Sequence, residues 1–283
     1  MSEAGAIRAR VELVSGRARF TELSAGGFLR PRPLQVDGAT ARLALVGTYA
    51  TLLGGDHVHI ELTVGAGVSL ELVEPSGTVA YDAQGGFARW SATVRVEHGA
   101  YLLWRGAPFV VTDGADVHRD TQLQLADDAR ALVAETLVLG RTYETGAGRL
   151  RSTMRAERAG RALLVEDLDL RGEVRAQQPG VMGANRAMAT VLLLGDRPHQ
   201  VGGLHETRLA TAGAMARRLA PAAHEAEGAV DPSWHRWQAR LTVRPGDNGA
   251  GRPTGLACRG PAGPRPSTAS AERADDRSQR FLE

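Results

Sequence analysis

The chain has 283 residues, of which 43% are hydrophobic and 23% charged, enough apolar material for a sizeable core under a charged surface. Its 34 cationic residues are all arginines, scattered among 32 acids for a net charge of +2 with no basic run, so the charge pattern gives no ground for a nucleic-acid partner. A single cysteine, Cys258, excludes an intramolecular disulfide framework and any multi-thiolate metal centre.

The N-terminus, Met1 to Gly5, has no basic segment followed by an apolar stretch. No apolar run approaches the roughly 20 residues that span a bilayer, so the expectation is a cytoplasmic chain with no membrane partner. From residue 8 to about residue 175, as an approximate limit, period-two patterning recurs. Val58, Ile60, Leu62 and Val64 alternate with His57, His59, Glu61 and Thr63, and Trp90, Ala92, Val94 and Val96 alternate with Arg89, Ser91, Thr93 and Arg95. Each pattern predicts a half-buried strand. Gly54-Gly55, Gly65-Ala66-Gly67, Gly85-Gly86 and Gly146-Ala147-Gly148 supply turns between strands.

A small turn followed by an apolar strand also repeats, with Ala66, Ala100 and Ala129 as equivalent points at spacings of 34 and 29 residues. Uneven repeats of this kind predict stacked, solenoid-like β layers rather than a closed barrel. After Arg197 the pattern changes. Leu209, Ala212, Met215, Ala216 and Leu219 fall on one helical stripe. Asp231-Pro232 then reads as an N-cap with proline at the first helical position, followed by Trp234, Trp237 and Leu241. The expected fold is mainly β, a stacked solenoid-like body ending in one or two helices. The body is expected to occupy residues 1–243. Residues 244–283, rich in proline and glycine, read as a disordered tail.

Several runs in order resemble the urease accessory family UreD (UreH) in its actinobacterial form. They begin with Gly54-Gly55-Asp56 before an alternating strand, Gly65-Ala66-Gly67, and Val73-Glu74-Pro75-Ser76-Gly77-Thr78-Val79-Ala80-Tyr81. Trp104-Arg105-Gly106-Ala107-Pro108 and Asp113-Gly114-Ala115 follow, then Glu135-Thr136-Leu137-Val138-Leu139-Gly140-Arg141 and Leu163-Leu164-Val165-Glu166. The resemblance covers residue 8 to about residue 243. It departs from the family at Pro75 and Val79, where many members carry Gln or Lys, and in the Pro/Gly tail. The resemblance implies a non-enzymatic scaffold for urease maturation, bridging apo-urease to UreF and to UreG, a GTPase that delivers nickel. It implies no tightly bound cofactor, only nickel(II) in transit through an internal wet passage, with acids at Glu135 and Glu166 associated with that passage.

Each candidate also has a plainer reading. Asp56 either lines a polar route or pins its own turn through an Asx-type hydrogen bond. His57, His59 and Glu61 share one strand face with room for a shared metal, but the same alternation describes a solvent face. They and Thr78 are the weaker candidates. Glu135 and Glu166 lie among apolar residues, where an ionised carboxylate needs a partner or water. Either they face a wet channel, or arginines pair with them. Arg141 reads as an ion pair or the edge of a partner surface, and Trp234 and Trp237 as core packing or interface anchors. Two rival functions remain on residues alone: a metal-independent β-structured assembly protein, or a β-solenoid carbohydrate hydrolase. The second would need a carboxylate pair and aromatic platforms, and only 5% of residues are aromatic. No Gly-x-Ser-x-Gly, His-Glu-x-x-His or P-loop sequence is present.

Overall fold

The computed structural model describes residues 5–242, apart from 50, 145, 147, 173–177 and 199. The predicted tail, and Cys258 within it, lie outside the described residues. In chain order the first strands are β1 (Ile7–Val14), β2 (Arg17–Ser24), β3 (Leu29–Asp37), β4 (Thr40–Gly47), β5 (Thr51–Leu52) and β6 (His57–Val64). Next come β7 (Ser69–Val73), β8 (Thr78–Ala80), β9 (Ala88–Val96), β10 (Tyr101–Arg105), β11 (Phe109–Val111) and β12 (Asp116–Leu125). The last are β13 (Arg130–Leu139), β14 (Arg149–Arg158), β15 (Arg161–Asp169), β16 (Ala187–Leu194), β17 (Glu206–Arg208) and β18 (Gly213–Ala220), before helix α1 (Ala223–Thr242).

The chain winds between two sheets. One has seven strands in the order β15-β14-β12-β9-β6-β1-β2; the other follows β17-β18-β16-β13-β10-β7-β4-β3, with the short β5, β8 and β11 beside it. Successive coils place β6, β9, β12 and β14 parallel in the first sheet and β4, β7, β10 and β13 parallel in the second. This is the stacked architecture that the repeats predict. The register refines their spacing: Ser69 faces Tyr101 and Tyr101 faces Arg130, offsets of 32 and 29 residues. Gly67-Val68 is therefore the counterpart of Gly99-Ala100, which corrects the first spacing from 34. The error of two left side chains on the same face, because strand side chains alternate with period two. Gly67 and Gly99, at φ of 70° and 64°, make the equivalent tight turns that a residue with a Cβ adopts only with strain.

Alternation decides the packing. Ile60, Leu62, Trp90, Val94, Val117, Leu123 and Leu150 point from the first sheet onto Leu70, Leu72, Leu102, Val133 and Leu137 of the second, forming one core. The second sheet is covered on its other face too, over β13, β16 and β18. There Leu132, Ala189, Val191, Leu193, Ala214 and Ala216 meet Ala226, Val230, Trp234, Trp237 and Leu241 of α1. Hence every residue of β16 is buried, and its sequence shows no alternation.

Two expectations for this region are overturned. Leu209 to Leu219 do not form a helix: β18 occupies Gly213–Ala220 and pairs antiparallel with β16 and β17. Asp231-Pro232 does not open a helix either, since α1 begins at Ala223 and runs through Pro232. Ala226 and Val230 extend the tryptophan stripe one turn and more upstream, and their burial holds the helix through a residue that lacks an N–H donor.

Candidate functional site

The second sheet is interrupted at one level. β7 ends at Val73 and its continuation β8 starts at Thr78; β10 ends at Arg105 and its continuation β11 starts at Phe109. β13 runs past both breaks. Arg105 pairs with Ala134 and Phe109 with Leu137, so Glu135 and Thr136 face the gap at Gly106-Ala107-Pro108. The two breaks are packed closely. The Gly106 N–H donates to the Ala134 carbonyl at 2.9 Å and the Thr78 N–H to the Pro108 carbonyl at 3.1 Å. A Cβ on Gly77 would lie 2.4 Å from the Pro108 oxygen, so no other residue fits there undisturbed.

Charged groups gather on the inner side of this break. Glu135 is 8% exposed, and its Oε2 accepts a 2.6 Å hydrogen bond from Arg119 Nη1 of the facing sheet. The guanidinium also approaches Ser152 Oγ at 3.4 Å and lies 4.6 Å from the Trp90 ring centroid. Glu74 accepts hydrogen bonds from Trp104 Nε1 at 2.7 Å and from the Ala107 N–H at 3.3 Å. Burial of its carboxyl pushes the pKa above the ordinary glutamate value, with those two bonds and the Arg119 charge pulling the other way. These groups and Thr78 line a cavity of about 20 Å³, room for about one water molecule. Arg119 Nε and Thr121 Oγ1 face this region and find no hydrogen-bond partner among the described residues.

Because neighbours on a strand point to opposite faces, Thr136 emerges on the helix side, where its Oγ1 donates to Glu227 Oε1 at 2.9 Å. Arg105 donates to Asp231 Oδ1 at 2.5 Å and stands over the Trp234 ring. Gly106, Ala134, Glu135 and Thr136 border both the inner cavity and a second cleft beneath α1. The break thus places polar side chains on both faces of the sheet.

Glu166 takes the other route foreseen for a buried acid. Its two oxygens accept from Arg217 Nη1 and Nη2 at 2.6 and 2.8 Å, a bidentate link from β15 to β18. Burial works against the charge on Arg217, yet Glu166, with a smaller contribution from Glu135, holds its pKa above the ordinary value. Arg217 Nε also donates to Thr190 Oγ1 at 3.0 Å, and Thr190 is the register partner of Glu135. Glu74, Glu135, Thr190 and Arg217 therefore form one polar row across the second sheet, with Arg119 and Glu166 answering from the first.

The remaining candidates lie elsewhere. Asp56 accepts a 2.7 Å hydrogen bond from the Leu53 N–H and closes its own turn. His57, His59 and Glu61 stand on the outer face of the first sheet, with His59 between Ser91 Oγ at 2.8 Å and Glu61 at 3.1 Å, and Glu61 paired with Arg8. No group of three His, Cys, Asp or Glu side chains suited to a metal ion occurs among the described residues. Arg141 pairs with Glu144 three residues on and packs between Tyr81 and Tyr143. Trp234 and Trp237 are 5% and 1% exposed against the second sheet. Sequence reading passed over Glu74, Arg119 and Glu227. The signal for Arg119 was present: it holds an inward position between Val117 and Leu123 on β12, a parity otherwise kept by buried residues.

Fold and site together define a two-sheet β-solenoid closed by one helix, with carboxylates and arginines paired between its layers. Residues 3–249 match the family model described as UreD urease accessory protein. Urease accessory protein UreD 1 of Streptomyces griseus subsp. griseus is 46% identical over 224 residues, 79% of this chain and 88% of that one. UreD 2 of Saccharopolyspora erythraea is 31% identical over 230 residues, 74% and 81% of the two chains, and UreD of Azorhizobium caulinodans 30% over 193, 66% and 71%. The chain belongs to the UreD urease accessory protein family, which ties it to urease maturation. No helix among the described residues is long and apolar enough to cross a membrane.

Proposed function

We propose that this chain is a non-catalytic scaffold that bridges the urease apoprotein to UreF and UreG in the cytoplasm, and that nickel(II) crosses it at the strand break beside Glu135. The reading rests above all on that break, where Glu74 and Glu135 stand on one side of a sheet and Glu227 and Asp231 on the other. Nickel(II) accepts carboxylate oxygen, and a protein that hands the ion on needs single, spaced ligands rather than a closed cage. Arg119 competes for Glu135, which keeps any hold on the ion weak. Nickel is cargo in this reading, and no cofactor is retained.

A second reading, a scaffold that conducts no metal, draws support from the arginine partners of both Glu135 and Glu166. One experiment separates them. Urease structural and accessory genes are expressed together with and without this gene, and nickel per urease active site is measured with activity. Both collapse without the gene if the maturation role holds; normal loading would end that role. Glu135→Ala and Glu166→Ala chains then report on the passage. Full loading by folded variants would leave the scaffold standing and remove the conduit.

A further inference from the structure

The first sheet turns its other face to solvent, because α1 packs on β13, β16 and β18 of the second sheet. Along that face the parallel register sets His57 beside Arg89, Arg89 beside His118, and His118 beside Arg151. Four side chains able to carry positive charge therefore lie in a row across four strands, about 4.8 Å from one strand to the next. Like charges directly opposite each other work against a sheet. The next row mixes its groups: His59, Ser91, Asp120 and Thr153.

On β15 the row meets an acid, since Asp169 is the register partner of Arg151. Asp167 holds Arg151 bidentately at 3.0 and 2.7 Å. No carboxylate pairs with Arg89 among the described residues. Its guanidinium instead lies 5.0 Å from the Phe87 ring centroid, and Phe87 stacks with His118 at 4.8 Å while remaining 38% exposed. His57 Nε2 approaches Ser91 Oγ at 3.3 Å. A groove of about 230 Å³ runs among His57, Arg89, Ser91, His118, Arg151 and Thr153. Asp120 also borders it, but Thr153 and Gln122 already donate to that carboxylate.

We propose that this groove docks an extended acidic segment of a partner protein, with carboxylates on alternate residues, laid across the strands. The row spans roughly 14 Å, three strand spacings, and an extended peptide presents same-face side chains about every 6.8 Å. Two or three carboxylates at i, i+2 and i+4 thus meet the row. Arginine takes carboxylate in a fork geometry, and the exposed Phe87 offers apolar surface to the stems between them. Asp120 and Asp167 beside the row, and Asp169 facing Arg151 at its end, oppose a continuous polyphosphate, whereas spaced carboxylates can be set over Arg89 and His118, away from Asp167 and Asp169. The inference does not depend on how nickel travels.

The test uses the full chain and a fluorescent peptide of alternating Glu and Ser, with a Gln/Ser peptide as control, read by anisotropy at low salt. The Glu peptide saturates the chain, added salt weakens it, and the Gln peptide does not bind. Arg89→Gln combined with His118→Gln lowers affinity about tenfold or more. Arg95→Gln, on the same face but outside the row, changes nothing. The proposal is overturned by no saturation below about 1 mM, by equal binding of the Gln peptide, or by equal loss in Arg95→Gln. Polyphosphate that binds more tightly than the peptide, or self-association of the chain abolished by Arg89→Gln, assigns the groove to another occupant and also overturns it. Far-UV circular dichroism confirms that the variants are folded.

Discussion

Removing the carboxylate of Glu135 leaves the Arg119 guanidinium charged between the two sheets, against Trp90 and Phe109. Breaking a buried pair on one side is far more costly than replacing both members with apolar groups. Glu135→Ala should therefore lose about 3–5 kcal/mol in urea denaturation, while Glu135→Leu with Arg119→Leu recovers most of it. A double variant as unstable as the single one would show that the pair is not the source. The same double variant serves the functional question, because regained stability without regained nickel loading assigns the carboxylate to the cargo. Glu74 gives a pH prediction of definite sign. Its carboxyl, ordinarily near 4.5, is raised by burial, so the fold favours the protonated form. That contribution is complete below the unfolded value and is lost as pH rises through the folded one. Glu74→Gln, which stays neutral, should gain on the parent chain as pH goes from 4 to 8; a difference that does not change with pH would contradict this. Arg119 was legible by its inward parity on β12, but its pairing with Glu135 and that of Glu74 with Trp104 were not, because those residues lie 16 and 30 apart and only the fold brings them together.

At the scale of elements, the geometry around Glu135 depends on how tightly the two breaks stack. Gly77→Ala places a methyl against the Pro108 carbonyl and should lower stability by about 1–3 kcal/mol in thermal or urea unfolding; an unchanged midpoint would mean that the breaks yield freely. Pro232 is exposed inside α1 and offers no hydrogen to the turn before it. Pro232→Ala is expected to raise stability by up to about 3 kcal/mol, read as a higher unfolding midpoint, and a lower midpoint would point to a need for the proline ring. The same elements show where periodicity misleads. β6 and β9 have one face on the core and one in solvent, so their alternation was legible. β18 is covered on both faces, with Ala214 and Ala216 toward α1 and Met215 and Leu219 toward the first sheet. Apolar residues at both parities then imitate the i, i+3, i+4 spacing of a helix. Asp231-Pro232 misled for a related reason: a good N-cap pair says where a helix is able to start, while the burial of Ala226 and Val230 sets where it does start.

At the scale of the molecule, the solenoid was legible from its repeated turns, which each coil needs for its own geometry. The site was legible as acids in apolar surroundings and one inward arginine, but not as pairs, since an ion pair between layers leaves no local pattern. The two outer faces differ, one covered by α1 over β13, β16 and β18 and the other uncovered among the described residues. On the proposed scaffold role, partners would cover that surface, and co-expression with UreF should raise soluble yield and monodispersity; equal values with and without UreF would count against it. The coil offsets of 32 and 29 residues have a further consequence, for synthesis. Each parallel strand finds its neighbour within about one coil of chain, so β7, β10 and β13 can be laid down in the order in which the ribosome releases them. β16 and β18 join that edge antiparallel, and α1 seals their outer surface last. A nascent chain that stalls before α1 therefore presents the alanine and leucine face of β16 and β18 bare, and it is this late interval, rather than the winding of the coils, that most exposes the protein to aggregation.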